Sequence, residues 1–162
     1  MKKLRSILNN ILNTLAGVSF IAMVILTCWQ VFTRYVLKNP STWSEELVSY
    51  LFAWASLLGA SLITGERGHM NIPVVVDRFG DKTKKVFHCL AEIIGFVFSA
   101  AILVYGGIQI SQLALGQTTS SLWGLAVGVF YFVMPVCGVI NMVYTVLNII
   151  DILNGTTEKE EV

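Results

Sequence analysis

Trp43, Glu45 and Glu46 stand at the entrance of one long apolar segment, and Gly68 and His69 lie just beyond its exit. Carboxylates and a histidine are the side chains from which proton-transfer or ligand sites are built, so these residues invite a search for a reaction centre. A second group is Glu92, with His88 one turn before it, near the start of another apolar segment. Cys28, Cys89 and Cys137 fall within or beside apolar stretches and form no Cys-x-x-Cys pair, so neither a disulfide nor a metal site is implied. Whether any of these groups meet depends on the elements that carry them.

Hydrophobic residues make up 55 % of the 162-residue chain and charged residues 13 %, far from the roughly 25 % charged of soluble domains. A helix needs about 20 mostly apolar residues to cross a bilayer core. Four segments qualify: 12–32, 47–64, 86–110 and 125–150. The expected fold is an all-α integral membrane protein, a single four-helix domain over 1–155 with an acidic tail at 156–162. Little chain remains outside the spans, which excludes a separate soluble catalytic domain. A cleaved signal over residues 1–28 is disfavoured, because Ile25-Leu26-Thr27 before Cys28 lacks the small residue such a site needs.

Lysine and arginine near the span ends set orientation. With the N-terminus inside, Lys2, Lys3, Arg5, Arg67, Arg78, Lys82, Lys84, Lys85 and Lys159 lie on the inner side, and only Arg34 and Lys38 on the outer. The asymmetry predicts that both termini are cytoplasmic.

Local pattern adds detail. Leu4, Ile7, Leu8, Ile11 and Leu12 recur at helical spacing and predict amphipathic turns on the inner membrane surface, running into the first span. Asn39-Pro40 interrupts the chain, and Thr42-x-x-Glu45 reads as a capping box opening the second helix near Trp43. Along that helix Trp43, Glu46, Tyr50, Trp54, Leu57 and Ser61 share one side, and Ala53, Ser56 and Ala60 form a strip of small residues suited to close packing. Residues 65–70 predict an inner turn. Ile72, Val75, Val76 and Phe79 predict a short interfacial helix. In the last span Gly124-x-x-x-Gly128 is a close-packing pattern, and Pro135 predicts a kink because it cannot donate to the Tyr131 carbonyl.

These placements separate the candidate residues. Trp43, Glu45 and Glu46 fall at the outer surface and His69 at the inner one, about 30 Å apart, so they cannot form one centre. Glu92 lies shallow in its span, where a carboxylate must be protonated, snorkel, or pair with His88 or another helix. It reads as structural rather than as part of an ion path.

Arg34-Tyr35 closing the first span, Trp43-Ser44-Glu45-Glu46 opening the second, Trp54 with Leu58-Gly59-Ala60 within it and Gly68-His69-Met70 after it carry a family likeness. The chain resembles the small membrane subunit of tripartite ATP-independent periplasmic (TRAP) transporters, the DctQ or SiaQ type. The resemblance implies a role in sodium-driven uptake of an organic acid, such as sialic acid or a C4-dicarboxylate, across the bacterial inner membrane. It implies a large membrane subunit of the elevator type as partner, here a separate polypeptide because the chain stops at Val162, and a periplasmic substrate-binding protein. The small subunit would brace and extend the scaffold of the large one among membrane lipids, with no enzymatic activity, no cofactor and no nucleic-acid contact. Trp43, Glu46, Tyr50 and Trp54 would then lie at the large-subunit contact or the headgroups. Arg34, Lys38 and Glu45 would be periplasmic charges within reach of the binding protein.

Two other readings compete on the residues alone. A self-sufficient four-helix transporter needs an embedded charged site, and the first span holds no carboxylate. A haem- or quinone-binding anchor needs ligands inside the bilayer, usually facing histidines, whereas His69 and His88 lie at the turn and at the edge of a span.

Overall fold

The computed structural model describes residues 2–66, 81–119, 122 and 124–153. Gly68 and His69, the expected interfacial helix over 72–79 and the acidic tail lie outside these residues.

Hydropathy alone makes the described chain helical. Four stretches are long and apolar enough to cross a membrane: Arg5–Tyr35, Thr42–Gly65, Lys85–Leu115 and Val127–Ile152. The one β-type pairing among the described residues is the isolated bridge between Thr118 and Ala126 in the turn before the last span.

The first span is α1 (Lys2–Tyr35), 34 residues without interruption. At 1.5 Å per residue it is about 51 Å long, well over the roughly 30 Å of a hydrocarbon core. The amphipathic turns expected to run into the first span form one continuous helix with it. Leu8 and Leu12 pack into the core, while Ile7 and Ile11 remain exposed. Helix α1 ends where the Val36 and Leu37 amides both turn back to the Phe32 carbonyl, at 2.9 and 3.4 Å. Lys38 follows at φ 51°, a left-handed conformation that costs a side-chain-bearing residue about 1–2 kcal/mol, and the Asn39 amide reaches the Thr33 carbonyl at 3.1 Å.

The second span is α2 (Thr42–Gly65), with Ser41 in the capping position. The expected capping box does not form. Ser41 makes no side-chain bond to a helix amide; its hydroxyl meets that of Ser44, which also bonds the Ser41 carbonyl. Glu45 turns away toward Arg34.

The third span is compound: α3 (Asp81–Phe98), a π-helical stretch Ser99–Gly106 and α4 (Gly107–Leu115). The fourth is α5 (Val127–Tyr131) and α6 (Val133–Leu153), broken at Phe132. The break falls where Pro135 withholds the donor that the Tyr131 carbonyl would otherwise receive. Between the third and fourth spans the Val127 amide bonds the Gln117 carbonyl and the Thr119 amide bonds the Leu125 carbonyl, each at 2.9 Å, which fixes the start of α5.

The helices pair in the order first, second, fourth, third. The fourth span therefore lies inside the row, and 39 % of its most apolar stretch is buried, against 11, 11 and 17 % for the other three. Leu12, Leu58, Val133, Cys137 and Tyr144 form the core where α1, α2 and α6 meet.

Two packing expectations change. Gly124 lies in the turn before α5 at φ 73°, so Gly124-x-x-x-Gly128 is not a helical motif. Gly128 alone makes the close contact, against the Ser111 carbonyl and Leu115. On α2 the strip of small residues is not the buried side: Ala53 and Ser56 are exposed, and Ser44, Leu58, Ser61 and Gly65 are buried. The third and fourth spans touch through glycines instead. A β-carbon on Gly138 would lie 2.8 Å from that of Leu103 in the π-helical stretch, and one on Gly107 2.9 Å from Pro135 Cδ.

Gly138→Val should therefore destabilise the protein in detergent or nanodiscs by about 1–3 kcal/mol, the range for overpacking. Gly59→Ala, with open space around it, should leave the melting temperature nearly unchanged. Equal effects of the two would contradict this packing.

Candidate functional site

The side-chain bonds between helices gather at the end that holds the termini and at one junction near the turn end. At the terminal end, α1 and α6 are joined side chain to side chain, and α6 reaches a backbone carbonyl of α2. The Tyr144 hydroxyl donates to Asn9 Oδ1 at 2.6 Å. Gly65 makes room for this ring: a β-carbon there would lie 2.7 Å from Tyr144 Cε1. One turn further, Arg5 donates to Asn148 Oδ1, and Asn148 Nδ2 donates to the Thr64 carbonyl at 3.1 Å. Thr64 belongs to the last turn of α2, whose carbonyls have no partner within the helix. Arg5 also pairs with Asp151 at 3.3 Å, both side chains about one-fifth exposed.

None of this was legible as a site. Arg5 reads as one of several inner-side cations, and nothing in the sequence reading singles out Asp151. The available signal was spacing: Tyr144, Asn148 and Asp151 recur every three or four residues on one side of an otherwise apolar helix, as do Arg5 and Asn9.

Near the turn end, Trp54 and Tyr50 of α2 meet the break in the fourth span. Trp54 Nε1 donates to the Phe130 carbonyl at 2.8 Å. Tyr50 stacks on Phe130 at 4.2 Å between ring centroids and meets Tyr131 edge-on at 6.5 Å. These aromatics thus pack against the chain's own fourth span. Trp43 remains exposed. Glu46 is half-buried, and its Oε2 is enclosed without a hydrogen-bond partner. The Arg34–Glu45 pair closes the α1–α2 turn at 3.8 Å, with both side chains more than half exposed, so solvent leaves it little net energy.

Glu92 is 2 % exposed and engaged within the chain. Among the described residues no cluster of three or more histidine, cysteine or acidic side chains could hold a metal ion. What the arrangement does with its polar groups is hold helices together. Much of the apolar surface of α1 and the third span, including Phe20, Ile25, Phe98 and Leu113, remains exposed.

This is a multi-pass membrane protein whose polar side chains serve assembly within the bilayer. A family model of the DctQ component of tripartite ATP-independent periplasmic transporters matches residues 23–155. The chain belongs to that family and is a transporter component, not an enzyme. It is similar to the sialic acid TRAP transporter small permease protein SiaQ of Vibrio cholerae, 34 % identical over 106 residues, which are 65 % of this chain and 61 % of that protein. A putative TRAP transporter small permease protein of Haemophilus influenzae is 26 % identical over 140 residues, 86 % of each chain. The sialic acid TRAP transporter permease protein SiaT of Haemophilus influenzae is 27 % identical over 99 residues, 61 % of this chain but 16 % of that protein. The chain thus covers under two-thirds of the SiaQ relative and a small part of SiaT.

Trp54→Phe removes the donor to Phe130 together with one of the two fused indole rings, so it should cost at least about 0.6–1.7 kcal/mol, the mean and the maximum measured for hydrogen bonds within membranes. Unfolding in mixed micelles measures it. No loss of stability would show that this bond does not hold α2 to the fourth span.

Proposed function

We propose that this chain is the small membrane subunit of a TRAP transporter that takes up an organic acid with sodium, and that it braces and extends the fixed scaffold of a large elevator-type subunit. The observation that carries this reading is how the polar groups are used. Arg5 and Asp151 face each other, and Trp54, Tyr144 and Asn148 bond other helices of the same chain. What is offered outward is apolar side chain along α1 and the third span, the surface of a brace among lipids and a neighbouring subunit.

The matches to small permease proteins in two organisms and to part of a longer permease support the partner class. They also support a sialic acid or, through a C4-dicarboxylate small permease of Vibrio cholerae that is 28 % identical over 83 residues, a dicarboxylate as the cargo of the complex. The lysine and arginine asymmetry supports cytoplasmic termini in the bacterial inner membrane. In that orientation Trp43 and Glu46 lie at the outer headgroups, where they meet lipid or the large subunit. Tyr50 and Trp54 set the angle of α2 from within. Arg34, Lys38 and Glu45 form a charged rim that the periplasmic binding protein contacts.

Copurification tests the assignment. A tagged chain extracted from the native membrane in mild detergent should bring down a large polytopic subunit in fixed ratio; recovery of this chain alone would count against it. Charge reversal at Arg34 and Lys38 should weaken uptake by the assembled complex without dissociating the membrane subunits. Unchanged assembly and unchanged transport would remove the rim from the docking surface.

A further inference from the structure

Asn141 is 8 % exposed, and its Oδ1 has no hydrogen-bond partner. It does not stand in apolar surroundings. Cys137, Asn141, Tyr144 and Asn148 follow at intervals of four, three and four residues, which places them within an arc of about 60° on the fourth span. The other three are 0 to 1 % exposed, and two of them have polar partners. Tyr144 donates to Asn9, and Asn148 bonds both Arg5 and Thr64. The arc is a polar seam that runs from the Arg5–Asp151 pair into the apolar core, and Asn141 lies about 15 Å along it from Asp151.

An amide oxygen enclosed without a donor is among the costlier defects in a protein interior, more so where no bulk water can reach. Met or Leu would fill the same volume without that cost. From this juxtaposition we propose that Asn141 is the anchor of an ordered-water site, and that the seam between α1, α2 and α6 is hydrated from its terminal end.

Water fits the chemistry on the page. It donates to Asn141 Oδ1, and its second hydrogen finds the lone pair that Tyr144 keeps after donating to Asn9. Buried waters typically make about three such bonds. A side chain of another subunit cannot reach an interior amide, and a metal cation finds no free carboxylate in the arc, because Asp151 is paired with Arg5. The Arg5–Asp151 pair is partly exposed and stands near the start of α1 and the end of α6, so the proposed seam opens at the helix ends. Its consequence is a joint between the α1–α2 pair and the fourth span that exchanges water at one end, while the aromatic junction near the other end packs ring to ring.

Hydroxyl-radical footprinting by X-ray radiolysis tests the site, because radicals formed from bound water modify the side chains beside it. The full chain in nanodiscs should show dose-dependent oxidation of Tyr144 and Cys137 although both are enclosed. In Asn141→Leu that labelling should fall to background and the melting temperature should not rise. A folded wild-type protein in which neither residue is oxidised overturns the proposal. So does Asn141→Leu with a clearly raised melting temperature, the behaviour of an amide that had no partner at all. If Asn141→Leu does not fold, the wild-type footprint alone decides.

Discussion

In hydrocarbon a polar group must find its partner inside the protein, and the Tyr144–Asn9 bond is where this constraint shapes the molecule most. It joins the first and fourth spans across the end of the second. It works because residue 65 is glycine, which lets the tyrosine ring lie over the backbone of α2. The bond also explains why α1 continues unbroken into its charged first turns: Asn9 and Arg5 must stay in helical register to face Tyr144, Asn148 and Asp151. A hydrophobic gradient cannot draw helices together in lipid, so such bonds and close backbone contacts set the arrangement. The fourth span, which carries most of these groups, lies inside the row.

The same constraint governs the irregular backbone. The π-helical stretch Ser99–Gly106 and the break at Phe132 both loosen regular helix bonding, and each has one side packed against a neighbouring helix. Gly138 packs on Leu103 and Val104 of the π-helical stretch, Gly107 packs on Pro135, and the Trp54 indole donates to Phe130 beside the carbonyl released by the proline. Irregularity in one span is matched by a glycine or a donor in its neighbour.

Hydropathy made the four spans legible, because an apolar run of span length has one stable environment, and Pro135 announced the break in the last. The pairing order was not legible. It depends on contacts such as Arg5 with Asn148 and Trp54 with Phe130, 143 and 76 residues apart, which no local periodicity encodes. The capping box at Thr42 is displaced because Ser41, one residue earlier, takes the capping position. The small-residue strip on α2 misled for a related reason: small side chains permit close approach, but the Trp54 bond to Phe130 and the seat of the Tyr144 ring on Gly65 fall on another side of α2. The π-helical stretch left no recognisable sign beyond Gly106-Gly107. Family likeness in residues 34–70, by contrast, pointed to the transporter class that the match over 23–155 establishes.

A subunit whose embedded polar groups hold its own helices together has little left with which to bind a charged substrate in the membrane. On the proposed reading, its contribution to transport is the surface it gives to a larger partner. The most direct measurement is sodium-gradient-driven uptake of a labelled organic acid into proteoliposomes, with the binding protein outside. Vesicles holding this chain alone should take up none, and vesicles holding it with its large subunit should accumulate substrate. Uptake by this chain alone would contradict the account.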